Sequence, residues 1–128
     1  MSQVPEKLKY TKEHEWVRVE GNTAFIGITD FAQDELGDIV FVEVPDEGSL
    51  LVAEQTFGTV ESVKTVSDLF APVSGKVIQV NADLGEHPER VNADPYEAGW
   101  MIAVEMSDPK ELNVLLNASE YQSHISES

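Results

Sequence analysis

The chain is a succession of short β-favouring runs, each closed by a turn signal, and this pattern directs it away from helical bundles and βαβ sheets. Val17 and Val19 alternate with Trp16, Arg18 and Glu20 until Gly21-Asn22, and Thr23 to Ile28 resumes in β-type residues. Residues 15–28 therefore predict a hairpin. Asp38 to Val44 predicts a second strand region, stopped by Pro45 and the turn-forming Asp46-Glu47-Gly48. Leu50 to Ala53 and Thr56 to Ser62 are further short strands. Leu69 to Val73 and Lys76 to Val80 flank a Ser74-Gly75 turn. Trp100 to Met106 alternates cleanly and predicts a strand with one buried face. The tripeptide Gly-x-Val occurs at Gly58-Thr59-Val60 and at Gly75-Lys76-Val77, a match too short to establish a repeat.

Two short helices interrupt the strands. Asp30 can cap the first, with Gln33 answering it and Gly37 at the stop. Asp108 can cap the second, with Pro109 at its first position, Glu111 at its third, and Leu112, Leu115 and Leu116 as its apolar positions. Tyr121 to Ser128 is polar and expected to fray. No linker divides the chain. The expectation is one all-β-dominated domain over 1–128, with its core at about 8–116 and a tail at 117–128.

Charge narrows the partners. The 128 residues carry 8 Lys+Arg against 24 Asp+Glu, a formal net charge of −16. Phosphate backbones and anionic lipid surfaces are repelled, which speaks against nucleic-acid and membrane binding. A hydrophobic content of 41% is enough for a core. There is no cysteine, which excludes disulfide scaffolds, Cys-ligated metals and a Cys nucleophile. No apolar run has the length of a membrane span, and the first ten residues have no signal-like apolar stretch. His14, His87 and His124 show no metal-ligand spacing. No Gly-x-Ser-x-Gly elbow or phosphate-binding glycine loop is present.

Lysine is the informative residue type. Between residues 13 and 63 there are twelve acids and one base, Arg18. Lys64 follows, between two segments that read as strands. It belongs at an exposed hairpin tip, either as a solubilising turn lysine or as an attachment point whose amine forms a stable amide and whose stem adds reach.

Several blocks, in order, resemble the glycine cleavage H-protein family. They are Tyr10-Thr11-Lys12-Glu13-His14-Glu15-Trp16-Val17, Gly27-Ile28-Thr29-Asp30-Phe31-Ala32-Gln33, and Leu36-Gly37-Asp38-Ile39-Val40-Phe41-Val42-Glu43. Glu61-Ser62-Val63-Lys64, Ser67-Asp68-Leu69 and Ala71-Pro72-Val73-Ser74-Gly75 follow, then Val80-Asn81, Pro95-Tyr96 and Gly99-Trp100. The resemblance runs from about Leu8 to Leu116. It implies a barrel-sandwich hybrid of the biotinyl/lipoyl type, a flattened pair of antiparallel sheets with short helices, one of them C-terminal.

The resemblance also implies a non-catalytic carrier. Lipoate on Lys64 would accept the aminomethyl group released from glycine by a pyridoxal-phosphate glycine decarboxylase. A tetrahydrofolate-dependent aminomethyltransferase would take the one-carbon unit, and dihydrolipoamide dehydrogenase would reoxidise the arm. A lipoate ligase or lipoyl transferase would read the hairpin residues Glu61, Ser62 and Val63. Glu15 and Asp68 match positions lining the cleft of the loaded arm, and Glu13 and Asp30 are further candidates there. A carboxylate in that cleft can hold the aminomethyl ammonium.

Two positions depart from the family pattern. Phe31 stands where some members have histidine, which makes an arm contact there apolar. Arg90 stands where leucine is expected. Biotin sites favour Met-Lys-Met and dehydrogenase lipoyl domains Asp-Lys-Ala, unlike Val63-Lys64-Thr65 here. A lipoyl relay that donates lipoate to other domains, and an acidic binding module with unmodified Lys64, are the alternatives. The motif begins within ten residues of Met1, from which a bacterial cytoplasmic location is expected ahead of a mitochondrial matrix one.

Overall fold

The computed structural model describes residues 3–126. Among the described residues nine strands form two antiparallel sheets. In chain order they are β1 (Lys9–Tyr10), β2 (Glu15–Glu20), β3 (Thr23–Ile28), β4 (Ile39–Glu43), β5 (Leu50–Leu51), β6 (Thr56–Ser62), β7 (Val66–Phe70), β8 (Gly75–Val80) and β9 (Ile102–Met106). The larger sheet has the order β1-β2-β3-β9-β8-β5, and the smaller β4-β6-β7. Three α-helices, α1 (Asp30–Leu36), α2 (Arg90–Ala93) and α3 (Ala118–Ser126), and 3-10 turns at Ala82–Gly85 and Pro109–Val114 complete the fold.

The expected 15–28 hairpin forms, with Trp16 opposite Gly27 and Val17 opposite Ile26. Gly27 is required there. A methyl at that position would lie 2.7 Å from the Trp16 ring, which is fully buried and donates from Nε1 to the Pro95 carbonyl at 2.9 Å. Val17, Ile26, Val77 and Val104 from the large sheet meet Ile39, Val60 and Leu69 from the small one in the main core. Most of the hydrophobic stabilisation comes from closing these two faces on each other.

Four local expectations are corrected. The segments around Ser74-Gly75 are not a hairpin. β7 belongs to the small sheet and β8 to the large one, so Ala71 to Ser74 carries the chain between layers. β9 is buried on both faces except at Glu105, because the second sheet covers one side and Trp100, Phe25 and neighbouring side chains cover the other. Helix α1 is capped by Thr29, whose hydroxyl accepts from Ala32 N at 3.2 Å. Asp30 instead bonds the Gln33 side-chain amide at 2.7 Å. Finally, residues 118–126 are helical rather than frayed, and the last two residues of the stretch expected to fray lie outside the described residues. Tyr121 is fully buried and stacks on Tyr10 with ring centroids 4.6 Å apart. Two apolar residues at i and i+4, Tyr121 and Ile125, suffice to dock this otherwise polar helix.

Asp108 does cap the following turn, accepting from Lys110 N at 3.1 Å, but that turn is 3-10 and Glu111 does not close a capping box. Glu111 reaches Ser74, accepting from its backbone N–H at 2.6 Å and its hydroxyl at 2.9 Å.

The two Gly-x-Val tripeptides share a packing role. A methyl on Gly58 would lie 2.2 Å from the Glu43 carbonyl oxygen, and one on Gly75 2.1 Å from that of Glu105. Each glycine lets a neighbouring strand pass close by. Gly58→Ala should therefore cost about 3 kcal/mol, because the obstructing atom is backbone and cannot step aside. Gly85, with nothing within 4 Å, is the control, and Gly85→Ala should stay within about 0.5 kcal/mol of the parent. Urea unfolding of both variants checks this, and equal midpoints would contradict it.

Candidate functional site

Lys64 sits in the turn joining β6 and β7, and it is exposed. The buried Ser62 side chain builds this turn. Its Oγ accepts from Lys64 N at 3.1 Å and from Thr65 N at 3.2 Å, and Ser62 N donates to the Thr65 carbonyl at 2.8 Å. Val63 N donates to the Asp38 carbonyl at 3.0 Å, which ties the tip to the start of β4. The hairpin residues Glu61, Ser62 and Val63 are thus a rigid pedestal under one lysine. Side-chain bonding of this kind substitutes for solvent at a tight turn.

The lysine stem lies over Gly37. A methyl at Gly37 would approach Lys64 Cε at 3.2 Å and Nζ at 3.6 Å. Gly37 also has φ +84° at the end of α1, where its N–H bonds the Gln33 carbonyl. One glycine therefore ends the helix in the left-handed region and clears the path of the lysine.

Beside the hairpin is a cleft of about 230 Å³. One wall is the free edge of β7, with Ser67, Asp68 and Leu69. The second is α1, with Phe31, Ala32, Glu35 and Leu36, and the third is the β1–β2 turn, with Glu13, His14 and Glu15. Phe31, Ala32, Glu35 and Leu36 recur at helical spacing, so the periodicity of α1 was the available signal for Glu35. Nothing local marked Ser67. A larger cleft, about 820 Å³, shares Glu13 and Glu15 and includes residues 10–12, 53–54, 70–72 and much of 108–116, and Lys64 is not among its lining residues.

Glu15 is only 1% exposed, so it is no surface acid. Its carboxylate accepts from the Thr11 hydroxyl at 2.5 Å and from Phe70 N at 3.2 Å. It therefore links β2 to β7 across the two sheets. Burial pushes its pKa up from the ordinary 4.5 to about 7, against the hydrogen bonds from Thr11, Phe70 and its own backbone that favour its charged form. Asp68 and Glu13 are exposed at the cleft. The structure does not bring Asp30 into it. Asp30 lies at the start of α1, where it accepts from Gln3 N at 2.9 Å and from Gln33.

His14 occupies the turn at φ +72°. Its Nδ1 meets the Tyr121 hydroxyl at 2.8 Å, and that hydroxyl meets Thr29 Oγ1 at 2.7 Å. The His14 ring lies 4.9 Å from Phe31 and 5.6 Å from His124, centroid to centroid. Burial, then His124, lowers the His14 pKa. Sequence spacing gave no hint that two histidines 110 positions apart would stack. Phe31 meets this wall through the tilted His14 ring. Arg90, where the family pattern has leucine, pairs with Asp83 at 2.8 Å, both side chains about half exposed.

Chemically, the site offers an exposed amine whose stem lies over Gly37, next in sequence to the Leu36 that lines a narrow cleft. Ile28, Phe31, Leu36 and Leu69 give it apolar walls, suited to a hydrocarbon arm, and its carboxylates suit a cationic end. A family model described as glycine cleavage H-protein matches residues 8–128. The chain is 60% identical over 127 residues to the glycine cleavage system H protein of Halalkalibacterium halodurans, covering 99% of each chain. It is 59% identical over 124 residues to that of Anoxybacillus flavithermus, covering 97% of this chain and 98% of the other. A crystal structure of a glycine cleavage system H protein from Mycobacterium marinum superposes with a TM-score of 0.89 at 39% identity, over 96% of this chain and 99% of that one.

Proposed function

The chain belongs to the glycine cleavage H-protein family and is a lipoyl carrier of the glycine cleavage system, and on that premise we propose that Lys64 is the residue that bears lipoate. The observation that carries this is the placement of Lys64. It stands on the Ser62-built turn, with its stem crossing Gly37 beside a cleft sized for a small arm. Lipoate in amide linkage there supplies the dithiolane that takes up the aminomethyl group from glycine.

The chain's own residues present and shelter. The Ser62 turn fixes the root of the arm, and the apolar walls exclude water from it. Glu15, with Asp68 and Glu13 nearer the surface, favours a cationic cargo inside. The carrier itself performs no chemistry. Its contribution is effective concentration, one group brought in turn to a pyridoxal-phosphate decarboxylase, a folate-dependent aminomethyltransferase and dihydrolipoamide dehydrogenase. A lipoate ligase or lipoyl transferase loads Lys64, and the setting is the bacterial cytoplasm.

Intact-mass and peptide mapping of the protein from its native host test the assignment. One lipoyl mass on the Lys64 peptide is expected. An unmodified chain, or a lipoyl group on any of the other five lysines, would overturn it. Moving the lysine by one place, as Val63→Lys with Lys64→Val, removes it from the path over Gly37 and places it beside the Asp38 carbonyl. Labelling by the ligase should fall more than tenfold, on the order of 1.4 kcal/mol of lost transition-state fit. Equal labelling would mean that exposure alone is read.

A further inference from the structure

The outer face of the small sheet bears an apolar strip next to Lys64. Phe41, Glu61 and Val66 stand directly opposite one another across β4, β6 and β7, so their side chains share one face. The alternate positions Ile39 and Val60 are buried, whereas Phe41 is 50% and Val66 59% exposed. Val40 is pushed outward where the register shifts between Ile39 and Phe41. Val63, held to Asp38 by its backbone, extends the strip to the hairpin tip. Among the described residues nine large apolar side chains are exposed, and these four gather at one place. Such clustering, unlike scattered exposure, marks a contact surface.

Its rim is acidic. Asp38, Glu43, Glu61 and Asp68 are all exposed, and none takes part in an ion pair among the described residues. Lys64 is the only Lys or Arg between residues 19 and 75, and an amide at its Nζ carries no charge. Once modified, the face is apolar at the centre, and no Lys or Arg from residues 19–75 offsets the acids at its edge.

We propose that this face is the docking surface shared by the enzymes that act on the arm, and that each presents to it an apolar socket ringed by Lys and Arg. The proposal rests on Lys64 as the modified residue. Charge selects this occupant. A second copy would bring a net charge of −16 against −16, and an anionic bilayer is repelled in the same way. A basic-rimmed socket gains from both the apolar centre and the acidic edge. Every enzyme that works on the arm must also approach its root, and the strip ends there.

The test measures direct binding of the carrier to immobilised glycine decarboxylase and, separately, to immobilised aminomethyltransferase. Phe41→Lys and Val66→Lys, on different strands and at exposed positions, should each weaken binding to both enzymes at least tenfold. Leu50→Lys, at an 80% exposed apolar position on the other sheet, should stay within twofold. Parent binding should weaken with added salt as the rim is screened. Thermal unfolding of each variant checks that the fold is kept. Unchanged binding of both variants to either enzyme, or an equal loss in Leu50→Lys, would overturn the proposal. The same assay on unmodified carrier separates the two readings. A loss in Phe41→Lys there supports the docking face even if mapping places the lipoyl group elsewhere.

Discussion

Lys64→Arg should give a folded, acidic chain that gains no lipoyl mass and supports no glycine decarboxylation. Arginine keeps the charge and most of the stem, so the hairpin and its Ser62 bonds have no reason to change. The guanidinium stays protonated and does not form the amide. The expected loss is complete rather than graded, because no other lysine stands on this turn. Lys76 is the matched control. It is exposed on β8 and pairs in register with Leu50 and Glu105, remote from the β6–β7 tip in the topology. Lys76→Arg should leave lipoylation and turnover within about twofold of the parent. The measurements are intact mass and glycine-dependent CO2 release in the reconstituted system. Turnover retained by Lys64→Arg would remove Lys64 as the attachment point.

Glu15→Gln should split stability from function in opposite directions. A carboxyl moved from 4.5 to about 7 costs the folded state about 3 kcal/mol once ionised. Below about pH 4.5 the group is protonated in both states and the cost is absent. Between about 4.5 and 7 the unfolded chain releases its proton first, so stability falls as pH rises. Above about 7 the cost is present in full. Glutamine never ionises and, like the protonated carboxyl, keeps one carbonyl oxygen for the Phe70 N–H and turns a hydrogen-bearing atom toward the Thr11 hydroxyl oxygen. The variant should therefore be more stable than the parent at about pH 8, by up to about 3 kcal/mol, and indistinguishable from it near pH 4. Urea unfolding at the two pH values measures this, and a constant difference would contradict the burial argument.

The functional effect has the other sign. A cation drawn into the cleft favours the charged form of Glu15, so the parent should hold its cargo better as pH rises through about 7. Glutamine removes both the hold and its pH dependence. Formaldehyde release from isolated, glycine-loaded carrier should be severalfold faster in Glu15→Gln, with lipoylation unchanged. Equal decay would assign Glu15 to the link between β2 and β7 alone.

Much of this molecule is legible in its residues. The 15–28 hairpin, the end of α1 at Gly37, and the exposed turn bearing Lys64 all follow from local pattern, because alternation and turn chemistry act over a few residues. So does the charge argument. The ordered blocks from Tyr10 to Trp100 carry the family. Local pattern does not reach the pairing of distant segments. Ser74-Gly75 resembles a hairpin turn because turn signals report a change of direction and not the sheet that receives the next strand. β9 resembles a half-buried strand because alternation cannot register a second covering layer.

The amino-acid sequence alone determined a β-dominated acidic chain with one lysine set apart on a hairpin, since those properties depend on residue type and near neighbours. Tertiary structure decided the rest. It buried Glu15 between the two sheets and so raised its pKa. It drew Tyr121 and His124 from a polar C-terminal segment onto His14, 107 and 110 positions away. It left Asp30 outside the cleft by capping α1 with Thr29. Burial, proton affinity and cleft shape arise from surfaces that meet only when the sheets close, and no local stretch of sequence contains them.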